Sequence, residues 1–336
     1  MKVPPALVSA LRSRRSFLVS SHLRPDGDAI GTQLALRLIL LALGKRVVVQ
    51  DHSPVPVNFH FLPGARLIRP FGPLPFRPEA ALIVDAPSPH RLGKVREHLS
   101  ATPLVINVDH HVSNEYFGGI NWVEPKSSSV GEMVHALVRA LGLPLSRPVA
   151  LCLYVALLTD MGKFQFMVTP ESGARIFRLA AELTATGLVP YEIYKLVYNL
   201  YSNDQLKLLG EALRTLAFAA GGQIAHMSVT EEMVRRYGIS DDNTDGLISQ
   251  PRDLRSTRVA ILFTESDGKV KVSLRSKEPR RLNMNRVASR FGGGGHPAAA
   301  GAEVEGSLSH VRPLILKAVE EEIRRGSNKK QLTPPK

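Results

Sequence analysis

Four short stretches carry side chains able to hold metal ions or move protons. The first is His22-Leu23-Arg24-Pro25-Asp26-Gly27-Asp28-Ala29-Ile30-Gly31. Pro25 and Gly27 enforce a tight loop, so His22, Asp26 and Asp28 can converge on one point. Asp28 also suits the cap of a following helix, but a cap does not account for two further ligand-type side chains on the same loop. The second is Asp85, which closes the apolar run ALIVD. A lone Asp in that position serves equally well as a turn residue. The third is Asp109-His110-His111, at the end of LVINVDHH. Adjacent histidines point different ways and can take two roles, one on a metal and one on a substrate. The fourth is Thr159-Asp160-Met161-Gly162, where an apolar helix stops at an acid. A carboxylate at a helix C-terminus opposes the macrodipole, a local cost that a nearby cation would offset.

The ligand types narrow the chemistry. Cys152 is the single cysteine, which excludes a disulfide framework or a cysteine metal cage within one chain. A metal must then be held by His, Asp and Glu, a donor set that suits harder ions such as Mn or Mg. Carboxylates bind both Mn and Mg, and imidazole tilts the choice toward Mn.

These stretches need strands and helices to gather them. Ser16–Ser21, Val47–Gln50, Ala81–Asp85 and Leu104–Val108 read as strands, and Ala29–Leu43 as a helix ending at Gly44. The runs from Val130 and from Pro148 are also helical. Strand–helix alternation with continuously apolar strands predicts an α/β fold, a mostly parallel sheet with helices on both faces. In such sheets ligands bind at the carboxyl ends of the strands, where all but the last of the four stretches sit. Thr169–Gly187 and Val189–Phe218 read as helices. A second pattern follows, with strands at Gln223–Val229, Val259–Thr264 and Val270–Leu274, the last two joined through Asp267-Gly268. Helices are expected at Glu231–Tyr237, Asn285–Phe291 and His310–Arg325. The expected organisation is an N-terminal domain over residues 1–199, a helical linker at 200–217, a smaller α/β domain at 218–325 and a disordered tail from 326.

With 336 residues and 44% hydrophobic content, both domains can build cores. The formal charge of +13, from 43 Lys plus Arg against 30 Asp plus Glu, favours polyanionic ligands such as nucleic acid or nucleotides. With a single Trp and 6% aromatics there is no evident stacking array for single strands. The opening MKVPPALVSALRSRRSF lacks a cleavage pattern. The longest apolar runs fall short of the ~20 residues of a membrane helix. The expectation is a cytoplasmic protein with no membrane partner.

In their order, H-x-x-P-D-x-D-A-x-G, V-D, D-H-H-x-S-N and T-D-x-G resemble the DHH phosphoesterase superfamily. The stretch Phe291-Gly292-Gly293-Gly294-Gly295-His296-Pro297 is similar to the glycine–histidine signature of its associated C-terminal domain. The match spans nearly the whole chain, and the short length is most similar to the nano-RNases. Thr32, Met161 and the loop after Asp85 depart slightly from the family pattern. The resemblance implies two divalent metals, Mn foremost with Mg or Co as alternatives. It implies His22 and Asp26 on one metal, Asp28, His110 and Asp160 on the other, and Asp85 bridging. Asp109 would support the site by orienting a histidine, and His111 would face the substrate phosphate. Two metals about 3.5–4 Å apart lower the pKa of a water between them, which then attacks phosphorus in line. The implied partners are short single-stranded RNA and nucleotides such as 3′-phosphoadenosine 5′-phosphate (pAp); a homodimer is a further expectation.

Gly293, Gly294, Gly295 and His296 would meet a phosphate through backbone N–H groups and the imidazole, although glycines alone read as a flexible loop. Arg275 is expected to contact phosphate or base, with a solvated strand residue as the competing reading; Asn283 is a weaker candidate. The rival functions are a related enzyme on pyrophosphate or dinucleotides, and a non-catalytic nucleic-acid-binding protein. Every expected ligand position is filled, which counts against the latter.

Overall fold

Continuously apolar strands need cover on both faces, and β1 (Ser16–Ser20) and β4 (Ala80–Val84) are buried at every position. The structure is a computed structural model and describes residues 1–166, 169–198, 202–239 and 241–328, the side chains of 241–243, 245 and 328 excepted. It divides into two compact units, Met1–Leu200 and Tyr201–Lys336.

In the first unit β1 and β4 are joined by β2 (Arg46–Asp51), β3 (Arg69–Pro70), β5 (Val105–Asp109) and β6 (Ile120–Val123). All six strands run parallel, in the order β3-β2-β1-β4-β5-β6. The chain winds outward from β1 through β2 and β3, then returns to β4 on the other side of β1. The switch point therefore lies between β1 and β4, where an open α/β sheet forms its crevice.

Helices α1 (Pro5–Ser13), α2 (Gly27–Ala42), α3 (Val130–Leu141), α4 (Arg147–Asp160), α5 (Pro170–Thr184) and α6 (Pro190–Tyr198) belong to the same unit. One core joins α1–α6 to the Phe17, Val19, Leu82 and Val108 face of the sheet. The opposite face, with Leu18, Ala81 and Ile83, is covered by Leu92 and Val95 of a 3-10 stretch, Pro89–Ala101. The second face is thus covered by 3-10 turns rather than by α-helices. Helices α2 and α4 are apolar nearly all round, as fully enclosed helices must be. They cross in close contact, because a Cβ at Gly27 would collide with Thr159 and one at Gly31 with the Cys152 carbonyl. That approach brings the start of α2 and the end of α4 together.

The second unit holds α7 (Asn203–Arg214), β7 (Ala217–Ala219), β8 (Ile224–Val229), α8 (Glu231–Tyr237), α9 (Ser249–Asp253), β9 (Val259–Ser266), β10 (Lys269–Ser276), α10 (Met284–Ser289), β11 (Gly294–Gly295), β12 (Ala299–Glu305) and α11 (Leu308–Asn328). Its sheet runs β11-β12-β10-β9-β8-β7 and is mixed, with β8 and β9 parallel and the other pairs antiparallel. One face packs on α10 and α11, the other on α7.

Several expectations shift. The long helical reading of Val189–Phe218 is broken into α6, α7 and β7, with residues 199–201 outside the described residues. Helix α7 starts at its own capping box, Ser202 with Gln205, and buries Leu208 and Ala212 against Met227 and Val229. It belongs to the second unit's core rather than standing apart as a linker. Helix α11 continues through Asn328, past the expected start of the tail, of which residues 329–336 lie outside the described residues. Among the described residues no helix is long and apolar enough to cross a membrane.

Candidate metal centre

The chain turns that follow β1, β4 and β5 meet the C-terminus of α4 at the switch point. The loop after β1 supplies His22, Asp26 and Asp28. Asp26, rather than Asp28, caps α2: its Oδ1 accepts from the Asp28 and Ala29 N–H groups at 3.0 and 3.1 Å. Asp28 is thereby freed of capping and lies in the first turn, 1% exposed. Its carboxylate accepts from Thr32 Oγ1 at 3.1 Å and from the Val130 and Gly131 N–H groups at 2.7 and 2.9 Å. The N-terminus of α3 thus holds an acid 102 residues away in sequence.

Two histidines have one ring nitrogen committed and the other aimed inward. His22 Nδ1 meets the Leu23 carbonyl at 2.7 Å and His110 Nδ1 the Ser127 carbonyl at 3.2 Å. Such bonds fix the tautomer and leave Nε2 as a ligand atom. His22 Nε2 lies 3.5 Å from Asp85 Oδ2 and 4.0 Å from Asp26 Oδ1. His110 Nε2 lies 3.6 Å from Asp85 Oδ1, 3.6 Å from Asp160 Oδ2 and 3.9 Å from Asp28 Oδ2. The ligand atoms of His22, Asp26 and Asp85 lie within 4.8 Å of one another, as do those of Asp28, His110 and Asp160. Asp85 turns one oxygen toward each group.

Asp85 adopts φ 52°, a left-handed conformation costly for a non-glycine residue and characteristic of functional sites. Its Oδ1 is buried and has no hydrogen-bond partner. A buried carboxylate oxygen without a donor is expensive unless a cation faces it. The donor set therefore fits two divalent ions: each group combines carboxylates with one neutral-capable imidazole, and their shared member has an oxygen that no protein group satisfies.

The electrostatics agree. Burial pushes the Asp85 carboxyl well above its ordinary value, and Asp28, Asp26, Asp109 and Asp160 add to it. Burial raises Asp160 in the same way and carries Asp28 to about 6. His22 is lowered, chiefly by burial, and so is a neutral imidazole with a lone pair to give. For His110 burial acts downward, but Asp160, Asp28 and Asp109 together hold it above its usual value.

Asp109 behaves differently. Its Oδ1 lies 2.8 Å from His111 Nδ1, and its Oδ2 accepts from Asn114 Nδ2 at 2.6 Å. Burial would raise it, yet these bonds and both histidines outweigh burial and bring it down to about 2. These contacts favour its ionised form and tie it to His111. Asn114 also meets Asn107 Oδ1 and the Tyr116 N–H, so the asparagine of D-H-H-x-S-N supports the acid of the same motif. The Ser127 carbonyl and the α3 amides were not legible from sequence, because a backbone group leaves no residue-type signal. A buried acid behind the site, Asp51, is bonded by Ser20, Ser21 and Gln33 and holds the end of β1 beneath the His22 loop.

In the second unit the structure brings Arg275 and the glycine run to one end of the sheet. Arg275 pairs with Ala299, and His296 N–H meets the Ala299 carbonyl at 2.8 Å. Gly293 and Gly295 have an internal reason to be glycine: a Cβ at either would strike β12 at Gly301 or Ala299. A Cβ at Gly294 would meet only Asn285 Oδ1, at 3.8 Å, and one at Gly292 nothing within 4 Å, so neither position is closed to a side chain by β12. Asn283 caps α10 through the Arg286 N–H, which accounts for it structurally.

Comparison with known proteins agrees with this arrangement. Residues 16–157 match the N-terminal domain of the DHH family and residues 219–325 the DHHA1 domain. The chain is 34% identical over 314 residues to the bifunctional oligoribonuclease and PAP phosphatase NrnA of Thermus thermophilus, covering 91% of this chain and 90% of that one. The Bacillus subtilis protein of the same name is 24% identical, over 89% of this chain and 92% of that one. The crystal structure of an exopolyphosphatase-related protein from Bacteroides fragilis superposes with a TM-score of 0.86 at 26% identity, covering 94% of this chain and 95% of that one. With its centre at the switch point and relatives matched over about nine-tenths of both chains, the chain belongs to the DHH phosphoesterase family and carries a DHHA1 domain after the DHH domain.

Proposed function

We propose that this protein hydrolyses short oligoribonucleotides to mononucleotides and removes the 3′-phosphate of pAp, using two divalent ions of which Mn is the best fit. The observation that carries the reading is Asp85, with one oxygen 3.5 Å from His22 and the other 3.6 Å from His110, between two complete ligand groups. His22, Asp26 and Asp85 would hold one ion, and Asp28, His110, Asp160 and Asp85 the other. Bound there, two cations would supply Lewis acidity, to activate water and to neutralise charge on the phosphoryl group.

The chain's own residues do the rest. Asp109 Oδ1, 2.8 Å from His111 Nδ1, fixes the ring. Held there, His111 would face the substrate phosphate. Asp28, gripped by three donors, cannot swing away as charge moves. The names of the relatives, oligoribonuclease and PAP phosphatase, support this substrate class. The charge of +13 favours polyanions in general.

The deciding experiment compares turnover of a dinucleotide, a 5-mer, a 50-mer and pAp side by side with Mn. Turnover is expected to be fastest on oligonucleotides of about two to five residues and on pAp, and to fall steeply with length, because productive placement rather than attraction limits rate. Equal rates on the dimer and the 50-mer would rule the short-substrate reading out.

The glycine run and Arg275 are assigned to substrate binding on the same footing. His296→Ala is expected to raise KM about tenfold or more, the loss of one charge-assisted bond, with Mn uptake unchanged. Calorimetric titration of Mn beside steady-state kinetics separates the two effects. An unchanged KM would remove His296 from the substrate site.

A further inference from the structure

The metal centre described above leaves two charged residues unused, Glu132 and Arg175. Glu132 sits in the first turn of α3 and is 6% exposed. Its Oε2 accepts from the Ser128 N–H and Oγ, both at 2.7 Å, and from Ser127 Oγ at 3.1 Å. Arg175, on α5, donates from Nε to Oε1 and from Nη2 to the Lys126 carbonyl at 2.8 Å. Burial alone would raise the Glu132 carboxyl, but the Ser128 and Arg175 bonds outweigh it and hold it below its usual value.

The turn that Glu132 gathers touches the centre in two places. The Ser127 carbonyl receives His110 Nδ1, and the Val130 and Gly131 amides grip Asp28. Both contacted residues belong to the same ligand group, the one completed by Asp160. Among the described residues His22 and Asp26 have no bond to this turn; His22 is set by Leu23 and Asp26 by its own helix. Arg175 is anchored on a different helix, 43 residues away, and spans the turn from its Lys126 end to Glu132.

We propose that Arg175 and Glu132 form a positioning clamp that sets metal affinity at the Asp28–His110–Asp160 position and not at the His22–Asp26 position. The inference rests on the two-metal reading above. The geometry distinguishes a clamp from an ion pair that only stabilises the fold. A stabilising pair would change unfolding alone, whereas the clamp is bonded through Ser127 to one ligand and through the α3 amides to another.

The test uses the full chain. Mn is titrated calorimetrically into chelator-treated wild type, Glu132→Gln, Arg175→Met and Arg175→Lys, with the Tm of each metal-free protein and kcat at saturating Mn measured alongside. Glu132→Gln keeps an acceptor for the serines, and Arg175 is 44% exposed, so both substitutions leave the turn able to form. One of two Mn equivalents is expected to weaken by about 10–100-fold in Glu132→Gln and Arg175→Met, the usual cost of losing a partner behind a metal ligand. The other equivalent should stay as in wild type. Arg175→Lys should recover part of the loss, and kcat should return at saturating Mn. Unchanged Mn constants with a lowered Tm, or equal weakening of both equivalents, would overturn the clamp while leaving the two-metal centre intact. A wild type that takes up no Mn would overturn the centre itself and the clamp with it.

Discussion

Asp85→Asn and Asp85→Ala are expected to lower turnover at least about a thousandfold, since a shared ligand supports several kcal/mol of transition-state stabilisation and each 1.36 kcal/mol is tenfold. The fold should survive. Asp85 Oδ1 has no donor to lose, and its charge is opposed by burial and by Asp28, Asp26, Asp109 and Asp160. Removing that charge relieves repulsion, so the metal-free asparagine variant should melt no lower than the metal-free wild type. Asparagine is the better probe, because it tolerates the φ of 52° that alanine resists. Activity within about tenfold of wild type, a difference under about 1.4 kcal/mol, would sink the bridging role. A variant that is inactive and also unfolded would instead assign Asp85 to the fold.

Chelation should abolish turnover, and Mn should restore it and stabilise the protein in a pH-dependent way. Mn at about 100 times its Kd adds about 2.7 kcal/mol, or roughly 5–10 °C in Tm for a domain of this size. The sign of the pH dependence follows from Asp28, whose carboxyl is carried up to about 6, first by burial and then by Asp26, against the charge of His110 and the bonds from Val130 and Gly131. A carboxyl raised in the folded state contributes stability that is full below its unfolded pKa and is lost as pH rises through the folded one. Asp85 and Asp160 are raised in the same direction. Metal-free protein should therefore weaken as pH rises through about 6, while Mn, which requires the ionised ligands, binds better. The Mn-induced gain in Tm should grow between about pH 5 and about pH 8. Differential scanning measurements with chelator and with Mn at both values check this. A gain independent of pH, or full turnover in chelator, would count decisively against a carboxylate-built centre.

The residue types of the centre were legible because each lies in a short local motif. His22, Asp26 and Asp28 share one loop, and Asp109 and His111 are bonded two residues apart. Asp160 ends a helix whose apolar run stops there. A strand followed by a charged turn is readable within ten residues, since strand periodicity and turn chemistry are local. The parallel sheet was readable for the same reason, through continuously apolar strands. Where local pattern and packing diverged, the reading slipped. The stretch from Val189 to Phe218 carries helical periodicity throughout, yet α7 ends at Arg214 and β7 then pairs with β8. The glycine run suggested closeness to a ligand, and two of its members prove to be glycine because β12 lies against them.

The sequence by itself thus determined which side chains gather, and that they are carboxylates and imidazoles rather than thiolates. The tertiary structure decided what each one touches. Asp26 and Asp28 are two residues apart and both suit a cap; only the packing of α3 gives one of them two amides from 102 and 103 residues away. Asp85 could have been an ordinary turn residue until β4 was placed between β1 and β5, which set one oxygen toward His22 and the other toward His110. The Glu132–Arg175 pair had no local signature at all. Hydrogen-bond partners distant in sequence are chosen by how the helices pack, and packing is a property of the whole chain that no window of it contains.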